Sequence, residues 1–324
     1  MSKALGLLSG GLDSSLAALC LKRQGIEVTA IAFVTPFFGS SKAEQAAHQM
    51  EIPLIVKNIS DVHLDMVKNP RYGYGKNMNP CIDCHAMMFR LAGEVMADSG
   101  FDFLFSGEVL GQRPMSQNAN ALRSVANYSG HPDRILRPLS AKLLPVTPME
   151  EQGLVDREQL LDIQGRSRKR QETLAREWRL TDFPASGGGC LLTEIHFSDR
   201  LRDLFDHQPE CTVNDVELLK VGRQFRLSQR AKLTLGRHQN DNDAIRKLAS
   251  SDHIILCTPA VPGPLGLVSG EPSDQDLKTA GAILASYGKG KDQPEVEVLA
   301  EMPAEERRLS VAPMLRGESK KLII

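Results

Sequence analysis

Seven residues near the start of the chain, Ser9-Gly10-Gly11-Leu12-Asp13-Ser14-Ser15, leave little freedom to what surrounds them. A short apolar run of strand length, Ala4 to Leu8, precedes them. After them Leu16, Ala17, Leu19, Cys20 and Leu21 recur at helical spacing. A strand, a tight Gly-rich turn and a helix start therefore meet in one place. The first N–H groups of a helix have no partner within it, and the helix dipole is positive there, so such a turn suits an anion. Gly10 and Gly11 allow backbone to approach phosphate oxygens, and Ser9, Ser14 and Ser15 add hydroxyls. Asp13 is set either to hold a magnesium ion or to cap the helix. No Gly-Lys-Ser/Thr follows, so this is not the common phosphate loop with its gripping lysine.

Ser-Gly-Gly-x-Asp-Ser resembles the pyrophosphate loop of the N-type ATP pyrophosphatases. The resemblance implies cleavage of ATP between the α and β phosphates, with a substrate oxygen activated as an adenylate. It also implies a parallel sheet flanked by helices, of the adenine nucleotide alpha hydrolase type. The chain agrees with that α/β class on its own terms. Strand-like runs at Glu27–Val34, Pro53–Asn58 and Phe101–Phe105 alternate with helical stretches at Ser40–Met50 and His85–Ser99. Ligands in such sheets sit at the carboxyl ends of the strands. Phe33 and Val34, closing the second strand, are either the wall of an adenine pocket or plain core. Between Asn58 and Asn77 the pattern weakens, and Arg71 to Lys76 reads as a basic loop of the kind that orders over substrate.

The six cysteines of the 324-residue chain are too scattered for a disulfide scaffold. Cys20, Cys211 and Cys257 read as incidental or buried thiols. Cys81 and Cys84 instead lie three positions apart in Asn79-Pro80-Cys81-Ile82-Asp83-Cys84-His85, at a helix start that favours thiolate. The pair by itself suits redox chemistry, zinc or half of an iron–sulfur site. Cys190 follows three glycines, Gly187 to Gly189, in a turn able to carry a thiol to a site.

The Asn-Pro-x-x-x-Cys segment resembles the tRNA-specific 2-thiouridylases, with Cys84 on their first catalytic cysteine. Cys81 and His85 depart from that family's Asp and Asn. This departure is similar to thiouridine synthases that hold a [4Fe-4S] cluster on three cysteines. Gly107-Glu108-Val109-Leu110-Gly111-Gln112, Ser116-Gln117 and Leu136-Arg137-Pro138-Leu139 resemble the signatures of the tRNA 4-thiouridine synthetases. The two resemblances imply a tRNA uridine thiolation enzyme that forms AMP and pyrophosphate. The 4-thiouridine product with a cluster on Cys81, Cys84 and Cys190 is the reading preferred. The alternatives are a 2-thiouridylase acting at the wobble uridine through a cysteine persulfide, a Cys3His zinc site using His85, and an ATP-dependent amide or amine ligase that does not act on RNA. On this reading Asp13, Cys84 and Cys190 are catalytic. Ser9, Gly10, Gly11, Asp13, Ser14, Ser15, Phe33, Gly107 and Gln112 bind ATP with magnesium.

Past Pro145 the chain changes. Thr147-Pro148-Met149-Glu150 has the residues of a capping box, and Asp156-Arg157-Glu158-Gln159 opens a helix similarly. Arg166, Arg168, Lys169, Arg170, Arg176 and Arg179 with Trp178 then form a basic stretch, either a solvated helix face or a phosphate-backbone contact. The Gly222-Arg223 to Asn242 region resembles the NFACT-R RNA-binding domain, with basic residues from Lys220 to Lys247. The expected organisation is an ATP pyrophosphatase domain over 1–150, a basic linker and Cys loop over 151–198, and a smaller mixed α/β RNA-binding domain over 199–324. Net charge is −1, so overall charge neither favours nor excludes nucleic acid. No apolar run nears the roughly 20 residues that span a bilayer, and no signal peptide is read at the N-terminus. A cytoplasmic location without membrane contact is expected. Expected partners are a tRNA, a sulfur donor (free sulfide, a cysteine desulfurase or a persulfide carrier) and a second copy in a homodimer.

Overall fold

The computed structural model describes residues 1–184, 189–302 and 305–324. Its chain contacts divide it into two units, 1–193 and 194–324. The first unit is laid out as β1 (Lys3–Leu7), α1 (Leu12–Lys22), β2 (Glu27–Val34), α2 (Ser41–Met50), β3 (Leu54–Asn58), α3 (Ser60–Lys68), α4 (Cys81–Ser99), β4 (Phe103–Ser106), α5 (Ala119–Ser129), β5 (Ile135–Leu136), α6 (Pro148–Glu151) and α7 (Lys169–Glu177). Its five strands pair in parallel in the order β3-β2-β1-β4-β5. The α/β reading is therefore observed.

A sheet covered on both faces needs apolar side chains on both, and alternate residues of one strand supply them. Phe103 and Phe105 of β4 join one core with Leu16, Leu21, Leu136, Ala175 and Leu180. Leu104 between them joins the opposite core with Leu5, Ile31, Phe33, Phe89 and Val125. The strand order reverses between β1 and β4. The loops that leave these two strands part there, which opens a crevice at their carboxyl ends.

Several details differ from the sequence reading. Helix α4 begins at Cys81, not at His85, so both thiols sit in its first turn. The weak region after Asn58 contains α3, whose buried face is His63, Leu64 and Val67. That face was illegible because one of its buried residues is polar by type. Thr147 does form a capping box with Glu150. Asp156 caps only a short 3-10 turn, Arg157–Gln159. The chain cannot continue as a helix there, because Leu161 and Ile163 donate backbone N–H bonds to Pro138 and Leu139. Residues 151–193, read as a linker and loop, belong to the first unit. Ala175 and Leu180 are buried in its core and anchor the segment.

The second unit contains α8 (Ile195–His207), α9 (Val213–Leu219), β6 (Arg223–Arg226), β7 (Ala231–Leu235), α10 (Gln239–Leu248), β8 (Ile254–Cys257), β9 (Gly266–Gly270), α11 (Asp274–Tyr287), β10 (Val296–Glu301), β11 (Glu306–Val311) and α12 (Arg316–Ser319). Its strands form an antiparallel sheet ordered β11-β10-β8-β9-β7-β6. Leu277, Ala280, Ile283 and Leu284 of α11 pack with Leu233, Leu235, Val296 and Val298. Leu218 of α9 and Ile245 of α10 pack with Ile255 and Leu267 in a separate core. No helix among the described residues is long and apolar enough to cross a membrane.

Candidate active site

The Gly-rich turn leaves β1 and enters α1 with Gly11 as N-cap. Gly10 has φ +74°, and a Cβ there would lie 2.2 Å from the backbone carbon of Lys42. Gly107, just past β4, passes so close that its Cβ would lie 2.4 Å from Asp13 and Ser14 backbone atoms. Both glycines are thus required by contact between loops. The serines brace the turn from within. Ser14 and Ser15 donate their hydroxyls to the Gly11 carbonyl at 2.9 and 3.1 Å. Ser9 Oγ lies 3.2 Å from Ser14 Oγ and accepts from the Gly11 N–H at 3.3 Å. Asp13 makes no cap bond, so its capping reading is corrected.

Asp13 instead takes part in a side-chain network. Its Oδ2 accepts from Gln112 Nε2 at 2.7 Å and from Arg168 at 2.9 Å. Gln112 Oε1 in turn accepts from the buried Gln171 on α7 at 2.9 Å. Asp13 Oδ1 is buried and has no hydrogen-bond partner. A buried carboxylate oxygen left unpaired is costly, and a bound cation would relieve it. Sequence reading put Arg168 in a surface basic stretch; the fold turns it into this site. Phe33 is 4 % exposed and packs in the core with Leu5, Ile31 and Phe89.

The thiols gather beside the ends of β2, β3 and β4. Asn79 Nδ2 donates to Cys81 Sγ at 3.3 Å. Cys84 Sγ lies 3.3 Å from Nε2 of His63, a fully buried residue of α3 held against the Phe37 and Phe38 rings. Cys190 is tethered through its neighbours. Leu191 N–H donates to the Phe37 carbonyl at 3.0 Å, and Asn77 Nδ2 donates to the Thr193 carbonyl at 2.7 Å. The preceding residues 185–188, with two of the three glycines, lie outside the described residues. Gly189 stands beside the Lys42 ammonium, 3.9 Å from where its Cβ would be.

Burial pushes the Cys84 thiol well above its ordinary range, and the nearby Cys190, Cys81 and Asp83 charges push the same way. The expected lowering by the helix start is therefore outweighed by burial. The same coupling shows Cys190 close enough to Cys84 for their charges to interact. Burial also lowers His63, to about 4, so its ring is neutral at pH 7. Among the described residues no group of three or more His, Cys, Asp or Glu is arranged to hold a metal ion. The thiols are neighbours without forming a ligand set in this arrangement.

Two other sequence signatures prove to be one structural device. Glu108 of the Gly-Glu-x-Leu-Gly-Gln segment pairs with Arg137 of Leu-Arg-Pro-Leu at 2.9 Å and with His85 Nδ1 at 2.7 Å. Burial alone would raise the Glu108 carboxyl, but the Arg137 charge and the His85 bond together bring it down to about 2. This buried pair ties the end of β4 to β5 and to the thiol helix.

Many of the basic residues already have acidic or aromatic partners. Arg170 pairs with Asp162, and Arg23 lies over the Trp178 ring. In the second unit Arg226 pairs with Asp203, Arg237 with Asp241 and Arg246 with Glu301. Lys232 is buried there, which lowers it to about 8.

The family model described as thiamine biosynthesis protein (ThiI) matches residues 1–142, and the one described as NFACT protein RNA binding domain matches 222–323. Residues 1–142 are thus similar to the ThiI family. A probable tRNA sulfurtransferase of Staphylococcus saprophyticus is 30 % identical to the chain over 144 residues, covering 42 % of this chain and 34 % of the relative. One from Staphylococcus aureus is 28 % identical over the same coverage. The chain thus spans about a third of the length of these curated relatives. A solved 4-thiouridine synthetase–RNA complex with bound ATP is 19 % identical, with a TM-score of 0.36 over 55 % of this chain and 52 % of that one. The C-terminal part of a fibronectin/fibrinogen-binding protein from Streptococcus suis is 11 % identical, with a TM-score of 0.30 over 75 % of this chain and 93 % of that one. The matched residues 1–142 include the Gly-rich turn, Cys81, Cys84, His63 and the Glu108–Arg137 pair. Arg168, Gln171 and Cys190 lie beyond the match, yet they reach the same crevice.

Proposed function

We propose that the chain thiolates a uridine of tRNA at the expense of ATP, with 4-thiouridine as product. The observation that carries this reading is the meeting of a pyrophosphate-type loop with Cys81, Cys84 and Cys190 at one end of a parallel sheet. The uracil oxygen attacks the α phosphorus of ATP and pyrophosphate leaves. A sulfur nucleophile then attacks the activated ring carbon, and AMP leaves with the former oxygen. The N–H groups at the start of α1 hold phosphate oxygens as charge develops. Asp13 Oδ1 is the natural holder of magnesium, the one carboxylate oxygen there without a partner. Arg168 and Lys42 replace the lysine that commoner phosphate loops carry. Ser9, Ser14, Ser15, Gly107 and Gln112 shape the pocket rather than react.

Three thiols suit a [4Fe-4S] cluster by donor chemistry. Cys81, Cys84 and Cys190 would hold it, and when bound it would carry, on an iron without a cysteine, the sulfide delivered by the sulfur donor. Residues 222–323 are the part proposed to hold the RNA.

The test is incubation of purified protein with an undermodified tRNA, ATP and sulfide, followed by nucleoside mass spectrometry. The expected product is 4-thiouridine with one AMP per thiolation; 2-thiouridine would move the assignment to the other ring oxygen. Cys84→Ser and Cys190→Ser should each abolish product, and full activity in either ends the reading. Iron and acid-labile sulfide analysis of anaerobically purified protein separates a cluster from a persulfide.

A further inference from the structure

The geometry points to a base-stacking platform beside the thiols, formed by Tyr72, Tyr128 and Arg71, that takes an unstacked nucleobase of the substrate RNA. The inference rests on the thiolation reading and names a contact within it. Tyr72 and Tyr128 are each 43 % exposed, and their ring centres are 5.9 Å apart at 60°. Arg71 sets its guanidinium 5.1 Å from the Tyr128 centre and 5.9 Å from that of Tyr72. Tilted rings leave ring surface open, and a guanidinium between them adds a second flat, positively charged face.

The platform is fixed to the thiol helix rather than left on a free loop. Asp83, buried between Cys81 and Cys84 in sequence, accepts the backbone N–H of Arg71 at 2.9 Å and of Tyr72 at 3.0 Å. Tyr128 stands near the end of α5, which packs along α4. Tyr74 anchors the same loop by donating its hydroxyl to the Val67 carbonyl at 2.7 Å. Three of the four tyrosines in the chain therefore lie on or beside this loop. Half-exposed rings with an arginine match the way unpaired RNA is gripped, by stacking and cation–π contact rather than by base-edge readout. A uridine must leave its stack for its ring oxygen to reach ATP, and a neighbouring base displaced with it needs a surface of this kind.

The experiment measures binding of an unmodified tRNA transcript over a range of salt, alongside ATP binding. Tyr72→Ala with Tyr128→Ala should weaken tRNA roughly tenfold or more, leaving the slope of log affinity against log salt unchanged. Arg71→Ala should also weaken tRNA with that slope unchanged, because a guanidinium that stacks on a base neutralises no phosphate. The paired Tyr→Phe variant, which keeps both rings, should bind as the parent does. Unchanged affinity in the double alanine variant overturns the platform, as does equal loss in the phenylalanine variant. Should the alanine variant also lose ATP binding, Tyr128→Trp decides: a larger ring must hold or raise tRNA affinity, and a fall refutes stacking. If the parent protein thiolates tRNA but the alanine variant binds it equally well, this inference alone fails. If the parent binds no tRNA, the thiolation reading fails with it.

Discussion

Glu108 acts through two side chains brought to it from other elements. Its two oxygens meet His85 and Arg137, and both Glu108 and Arg137 are withdrawn from water. Removing its charge leaves the 8 % exposed Arg137 unpaired, a loss that typically costs about 3–5 kcal/mol. Glu108→Gln is therefore expected to lower the thermal midpoint by several degrees. The sign of the pH effect follows from the depressed carboxyl. Near pH 7 both folded and unfolded carboxyls are ionised, and the stabilisation is fully present. It is lost as pH falls from the ordinary value of 4.5 through the folded value of about 2. Thermal melts between pH 7 and 3 should show a shallower acid decline in the variant; parallel declines would refute the assignment. His63 is a different lesson. Nothing in the sequence marked this histidine, yet it faces the Cys84 thiol that the sequence had singled out.

At the scale of elements, the Gly-rich turn is held because three segments interlock. The α1 turn is braced by its own serines, α2 presses its start on Gly10, and the β4 loop presses on Asp13 and Ser14 through Gly107. A side chain at either glycine meets backbone, which cannot rotate away. Gly10→Ala also places alanine at φ +74°, where an L residue is strained. Both Gly10→Ala and Gly107→Ala should cost about 1–3 kcal/mol and weaken ATP at least tenfold. Calorimetric titration with a non-hydrolysable ATP analogue checks this. Native affinity in both variants would mean that the crevice is not the nucleotide site. Helix α4 adds the second element-scale device. Starting at Cys81, it aims its first turn at the same crevice and carries Asp83, which holds the tyrosine loop.

For the whole molecule, each unit has its own buried core, and the boundary falls at 193/194. Fragments 1–193 and 194–324 should each melt as a single cooperative transition by circular dichroism. The first should keep ATP affinity, and the second should bind RNA with a salt-dependent slope. Failure of 1–193 to fold without the remainder would show that the division is one of contacts only. The reach of 151–193 into the first unit was not legible, because basic residues look the same on a solvated face and in a site. Only folding turns Arg168 inward to Asp13 while Arg170 pairs with Asp162 outside.

The alternation of strand and helix around β1 to β4, the parallel sheet and the Gly-rich turn between β1 and α1 followed from sequence, because each depends on local periodicity and on glycines adjacent in the chain. So did the strand Glu27–Val34 to the residue. Tertiary structure alone decided which polar groups meet across long separations. Asp13 and Arg168 are 155 positions apart, His63 and Cys84 are 21 apart, and the exposed tyrosine pair forms only where α5 passes the loop after α3. Periodicity records which face of an element is buried, whereas a charge pair or a buried histidine is defined by a neighbour that the local sequence does not contain.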